Sequence, residues 1–449
     1  MTARGRDILG HPRGLTILAA AEAWERFSFY GLQALLTLYM VRELLLPGHA
    51  GRVAGLAALR HALQGGAAPI SDQALASAIF GLYGGAIYLS PILGGLVADR
   101  WLGRRRTIVL GAVLMAAGHF LMSFEPPFLL ALACMVLGAG CFKGNIAAQV
   151  GALYAPGDQR RADAFQIFYA GINTGAIFAP LVCGTLGEDV GWRYGFAVAG
   201  VGMLVGLAIY LAGWRDLPPE TAAPAPDGAK TASAPLSRHE WKVVLLLFGL
   251  LPFLALGLVA NQQLGNAYLL WARSHIDTRL FGHALPLTWL LSLETLATLA
   301  CLAGSARFWT LWARRRREPD EMTKVVLGQA LMTAAPLVLA AASAITATTG
   351  RTVSLAWPVG FSLLNEIGFA NVLPVTLALY TRLAPRPLTG AIVGVYYLQL
   401  VGANLLAGAL GGLLDKLPAT AFWGLHAGLA AVATLALLAV RLRLRGLYA

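Results

Sequence analysis

Long apolar runs separated by short polar stretches set the pattern of this chain. Each run approaches the roughly 20 residues that a helix needs to cross the hydrocarbon of a bilayer. They fall near 15–40, 74–98, 107–124, 128–150, 163–186, 194–213, 241–263, 287–312, 324–345, 354–380, 388–412 and 419–440. The pattern predicts an all-α membrane protein of about twelve transmembrane helices. Only two polar stretches are long, 41–73 and 215–240. The second contains Leu217-Pro-Pro-Glu-Thr-Ala-Ala-Pro-Ala-Pro-Asp-Gly and reads as a flexible linker. It divides the chain into a six-helix bundle over 1–214, a cytoplasmic linker over 215–240 and a second six-helix bundle over 241–449.

The halves echo one another. Gly, Ala and Asn recur with a similar cadence around Asn173 in the fifth run and Asn404 in the eleventh, and the loops after the second and eighth runs are both rich in arginine. Parallel repeats of this kind build two-bundle secondary transporters, which hold substrate near the membrane midplane. Small residues at such spacings also let helices approach closely.

Composition agrees with the pattern: 57% of residues are hydrophobic and 12% charged, which excludes a soluble core. The net charge of +12 is a matter of topology, not of nucleic-acid binding. Lys and Arg crowd the loops of one side, at Arg100, Arg104 to Arg106, Arg160, Arg161, Arg215, Lys230, Arg314 to Arg317, Lys324, Arg382, Arg386 and the two termini. The other side has few, among them Arg42, Arg52, Arg193 and Arg351. The positive-inside rule puts both termini in the cytoplasm, and the first run, which carries charges, is expected to stay as a signal anchor rather than be cleaved. The four cysteines lie within the runs without metal-ligand spacing. His119 and His426 lie in runs with no evident partner and read as packing groups.

Charges inside the runs carry the functional signal. Glu22, Glu25 and Arg26 occupy the first run, and Glu22, Glu25, Phe29 and Gln33 share one helical face. Lys143 sits in the middle of the fourth run, Glu294 in the eighth and Glu366 in the tenth. A charge at that depth costs several kcal/mol and marks a substrate or ion path. Lys143 needs a counter-ion, which a carboxylate of the first helix supplies when ionised and withdraws when protonated. Four acids against Arg26 and Lys143 leave an excess of two negative charges, so at least one acid is expected to hold a proton or meet a cationic substrate.

Gly95-Leu-Val-Ala-Asp99-Arg100-Trp-Leu-Gly103-Arg104-Arg105-Arg106 resembles the cytoplasmic loop signature of the major facilitator superfamily. There Asp99 is expected to cap the next helix and pair with Arg100 and Arg104 as a cytoplasmic latch. Glu22-x-x-Glu25-Arg26-Phe27-x-Phe29-Tyr30-Gly31 resembles the first signature of the proton-dependent oligopeptide transporter (POT/PTR) family. Phe142-Lys143-Gly144-Asn145-Ile146 is similar to its F-K-P-N-I/V segment, and Phe165-Gln-Ile-Phe168-Tyr169-Ala-Gly-Ile172-Asn173 to its second signature; Asn365-Glu366 stands where the family has Gly-Glu. The resemblance implies a proton-responsive cluster of Glu22, Glu25, Arg26 and Lys143, with substrate carboxylate competing for Lys143. It also implies an amine-end pocket at Asn173 and Glu366, walled by Tyr30, Tyr88 and Tyr396.

The departures make this an atypical member. Phe29 replaces a tyrosine, Gln33 an arginine that holds the peptide carboxyl end, Asn261 an acid in Ala260-Asn261-Gln262, and Glu294 an asparagine in Ser292-Leu293-Glu294-Thr295. The substrate-binding set expected on this resemblance is therefore Phe29, Tyr30, Gln33, Tyr88, Lys143, Asn173, Asn261, Glu294, Glu366 and Tyr396. No zinc-protease, P-loop or Ser/His/Asp pattern points to an enzyme. The expected activity is proton-coupled import of short peptides or peptide-like solutes by alternating access in the bacterial inner membrane, with protons as coupling ion and no other cofactor or metal. A proton antiporter for cationic compounds and a non-transporting sensor on the same fold are the alternatives.

Overall fold

The computed structural model describes every residue except 1–7, 9, 66–68, 156, 221–235, 445 and 447–449. Much of the linker, with Arg4, Arg6, Lys230 and Arg445, therefore lies outside the described residues. The described chain is almost entirely helical. Its principal helices are α1 (Arg13–Tyr39), α2 (Asp72–Val97), α3 (Gly103–Leu121), α4 (Phe128–Ala152), α5 (Arg160–Ala179) and α6 (Trp192–Ala212). These are followed by α7 (Arg238–Gln262), α8 (Trp289–Ala313), α9 (Glu321–Thr349), α10 (Ala356–Leu383), α11 (Leu398–Gly411) and α12 (Ala419–Arg443). Among the described residues, ten stretches are long and apolar enough to cross a membrane. One of them, Asp72–Leu121, holds both α2 and α3. α1 is missing from that set because Glu22, Glu25, Arg26 and Gln33 interrupt its apolar run.

The runs expected at 163–186 and 388–412 are less regular than the sequence suggests. α5 continues through two π-helical turns, Pro180–Gly184 and Leu186–Val190. α11 is preceded by a separate piece, Thr389–Tyr396, so the eleventh run is broken at Tyr397. Within the polar stretch 41–73 a short helix forms at Leu56–Gln64. Between α7 and α8 a two-stranded hairpin pairs Arg279 with Ala284 and Leu280 with His283. Its turn residues Phe281 (φ 50°) and Gly282 (φ 85°) are both left-handed, as a tight hairpin turn requires.

The chain forms two compact units, one of Met1–Ile70 and Ala86–Ala229 and the other of Ser71–Gly85 and Lys230–Ala449. In the first, α1 packs on α5 and α6, and α3 packs on α4. Gly175 permits the α1–α5 contact: a Cβ there would collide with the carbonyl oxygen of Ala23. In the second unit α9 packs on α10 and α12, α7 on α11 and α12, and α8 on α10. Its core includes Leu247, Leu254, Met332, Val372, Tyr380 and Tyr396. The first part of α2 counts with this unit because Gly81 and Gly84 lie against Asn404 and Gly408 of α11.

Candidate functional site

The first cluster is assembled on α1. Arg26 Nε lies 3.2 Å from Glu22 Oε1, one helical turn back, and the guanidinium is also paired with Glu25. Glu22, Glu25 and Arg26 are 4%, 0% and 6% exposed. Burying two acids with one base is tolerable because the guanidinium fork serves both, and because all three are on one helix, so no inter-helix approach is needed. Glu22 Oε2 and Glu25 Oε1 are buried without a hydrogen-bond partner.

Lys143 is placed differently from expectation. Its Nζ sits 4.2 Å from the centroid of the Phe29 ring and 6.0 Å from that of Tyr88. Arg26 lies 5.0 Å from the same Phe29 ring. Lys143 is within electrostatic reach of Glu22 and Glu25, but among the described residues it forms no ion pair. The sequence leads one to expect a carboxylate of the first helix as its direct counter-ion. Instead Arg26 takes both acids and Lys143 rests on aromatic faces, a cation–π contact. Two residues further along α4, the Asn145 side-chain amide donates to Cys141 O (2.9 Å) and across to Gly94 O (3.3 Å) on α2, tying the two helices together.

The second cluster joins α8 to α10, with α7 alongside. Ser362 Oγ lies 2.5 Å from Glu294 Oε1, and Thr298 Oγ1 lies 2.7 Å from Glu366 Oε2. Each helix thus supplies one acid and, four residues away, one hydroxyl. Asn365 Nδ2 donates to Glu366 Oε1 at 2.7 Å, and Asn261 Nδ2 reaches the same oxygen at a weak 3.4 Å. Glu294 and Glu366 are 3% and 2% exposed. No guanidinium or ammonium among the described residues pairs with either. Thr298, Ser362 and Asn365 are the supporting groups; the sequence signal for the two hydroxyls is their placement four residues from Glu294 and Glu366.

Other expected residues are less closely gathered. Tyr30 is half-buried and meets Phe29 edge to face at 5.2 Å. Gln33 is half-buried on the same helix, and Tyr88 is 36% exposed. Asn173 is half-buried, but its amide donates back to Tyr169 O at 2.8 Å within α5. Tyr396 is no cavity wall in this structure. It is wholly buried, donates to Leu373 O at 2.6 Å and packs on Tyr380, whereas its neighbour Tyr397 is 41% exposed.

The latch expected at Asp99, Arg100 and Arg104 also differs. Asp99 and Arg100 lie in a π-helical turn, Ala98–Leu102, and with Arg104 they are exposed. Among the described residues none of the three forms an ion pair. α3 starts without a side-chain cap, its entry turned at Gly103 with φ +74°, so Asp99 does not cap it. The loop is tied down by Arg105, which donates to Leu217 O (2.6 Å) and Pro218 O (2.8 Å) and lies over Trp214. His119 and His426 do have partners. Ser28 Oγ is 2.5 Å from His119 Nε2, and His426 lies 3.0 Å from Gln263 Nε2 and 2.8 Å from Phe422 O.

Comparison with known proteins places this geometry in context. The model of the POT family matches residues 105–227 and 229–427. Peptide transporter YePEPT of Yersinia enterocolitica is 30% identical, over 93% of this chain and 92% of its own length. The Di-/tripeptide transporter of Lactococcus lactis is 29% identical, over 93% of this chain and 79% of its own. A solved structure of a peptide transporter POT in complex with sulfate has a TM-score of 0.84 at 27% identity, covering 99% of this chain and 97% of the other. A mutant peptide transporter POT in complex with alafosfalin gives the same TM-score, identity and coverage.

Proposed function

Since the chain belongs to the POT family, we propose that it imports short peptides or peptide-like solutes together with protons, by alternating access across the bacterial inner membrane. The bundles over 1–214 and 241–449 carry this cycle, joined by a cytoplasmic linker, with both termini in the cytoplasm and the proton as the coupling ion. The similar proteins named as peptide transporters support the substrate class.

The observation that carries the reading is Lys143, half-buried against Phe29 and Tyr88 while Arg26 occupies both nearby acids. An ammonium without a carboxylate partner is a receptor for one. Charge arithmetic then links substrate to proton. Glu22, Glu25, Arg26 and Lys143 sum to zero when all are ionised. A substrate carboxylate arriving at Lys143 adds one negative charge to a low-dielectric site, and a proton taken up by Glu22 or Glu25 restores neutrality. Their unpartnered oxygens, Glu22 Oε2 and Glu25 Oε1, are where that proton can sit.

The purified protein in liposomes tests this, with uptake of radiolabelled di- and tripeptides followed with and without an inward proton gradient. Accumulation above the external concentration is expected only with the gradient. It should be lost in Glu25→Gln and Lys143→Ala proteins that still insert and fold. Full concentrative uptake by both variants, or none by the native protein for any peptide, would overturn the proposal.

A further inference from the structure

The pairing of α8 with α10 has a proton count that the peptide-import reading does not use. Thr298 Oγ1 lies 2.9 Å from the carbonyl of Glu294 and 2.7 Å from Glu366 Oε2. Ser362 Oγ lies 2.8 Å from the carbonyl of Pro358 and 2.5 Å from Glu294 Oε1. A hydroxyl has one proton and cannot donate to both. With that proton on the backbone carbonyl, the carboxyl must itself be the donor and hence neutral. With the hydroxyl turned round, the carboxylate is ionised and the carbonyl loses its second donor. Each rung of this ladder therefore has two states that differ by one proton, with no movement of heavy atoms.

A second observation points to a ligand. Glu294 Oε2, Asn365 Oδ1 and the Tyr268 hydroxyl are buried without partners, in residues 3%, 0% and 1% exposed. Tyr268 is within electrostatic reach of Glu294, and it stacks on Phe361 at 5.5 Å. The titratable groups around the pair are Tyr268 after α7, Cys301 on α8 and the two acids themselves; α7 adds the neutral Asn261. Unpaired acceptors beside two carboxyls, without a cation, match the three donors of a primary ammonium.

We propose that Glu294 is a specificity-determining carboxyl for a second positive group on the substrate, such as a lysine side chain. Ser362 is its positioning residue, and ammonium binding expels the proton that the Glu294–Ser362 rung holds. The neutral carboxyl becomes a carboxylate paired with the ammonium, the proton leaves to water, and Ser362 turns its hydroxyl from Pro358 O to the carboxylate. The inference rests on peptide recognition and deepens it.

Calorimetric titration of the purified full-length protein tests it, with Ala-Ala and Lys-Ala compared in two buffers of different ionisation enthalpy. The native protein should release more protons on binding Lys-Ala than Ala-Ala. Glu294→Gln, which keeps the shape, should lose that difference and weaken Lys-Ala by about tenfold relative to Ala-Ala, the loss of one charged hydrogen bond. Ser362→Ala should keep the preference for Lys-Ala but shift the pH midpoint of its binding, which a merely structural role would not do. Unchanged preference and unchanged proton release in Glu294→Gln would overturn the inference while leaving peptide transport intact. Failure of both dipeptides to bind the native protein would instead overturn the peptide reading and this inference with it. If Glu294→Gln does not fold, the Ser362→Ala pH profile decides, and an unmoved midpoint counts against the ladder.

Discussion

Two buried clusters, each with a pair of acids, are stabilised in opposite ways. On α1 the acids share a guanidinium from their own helix, and with Lys143 included the formal charges sum to zero when all four groups are ionised. On α8 and α10 no cation pairs with the acids among the described residues; a hydroxyl from the facing helix holds each carboxyl, and Asn365 of the same helix donates its amide to Glu366. The difference teaches where a ligand's charge is needed. The first cluster has one cation left over for a carboxylate, whereas the second offers two acids and unpaired acceptors to a positive group. An acid paired within its own helix is insensitive to how the helices pack; an acid held across a helix pair is not.

The comparison breaks most readily at Arg26. Arg26→Gln leaves Glu22 and Glu25 buried without their cation, and losing one partner of a buried pair costs about 3–5 kcal/mol. A large fall in melting temperature and loss of concentrative uptake are expected. A variant of native stability would show that the two acids do not depend on Arg26. Lys143→Ala is the sharper probe, since Lys143 forms no ion pair among the described residues. Its melting temperature should stay near the native value while the preference for a free-acid dipeptide over its amide disappears in competition. A preference that survives would move the carboxylate receptor elsewhere, Gln33 being uncharged.

Two smaller effects separate scaffold from site. Tyr396→Phe removes the donor to Leu373 O and should cost roughly 1–2 kcal/mol of stability with an unchanged KM. A large change in KM with unchanged stability would return Tyr396 to the cavity wall. At the start of α7, Ser237 accepts from Glu240 N at 3.2 Å while the Glu240 carboxylate accepts from Ser237 N at 2.7 Å, a reciprocal cap. Ser237→Ala should cost about 1 kcal/mol by thermal unfolding and leave uptake as it was; altered uptake would tie the linker end to the transport cycle.

The helices were legible in the sequence because the bilayer acts on each segment alone: a run of about 20 apolar residues must bond its own backbone, whatever its neighbours do. The charges within those runs were legible for the same reason, and Glu22, Glu25, Arg26, Glu294 and Glu366 all lie buried. Only the tertiary structure decided who meets whom. Arg26 rather than Lys143 takes the acids of α1, Arg105 rather than Arg104 anchors the loop, and Tyr396 turns into the core while Tyr397 does not. The ladder of Ser362 and Thr298 depends on α8 and α10 lying in one register, four residues per rung on each. Such pairings rest on which faces touch and where small residues such as Gly175 allow close approach. A period along one helix does not contain that information, because its partner is encoded far away in the chain.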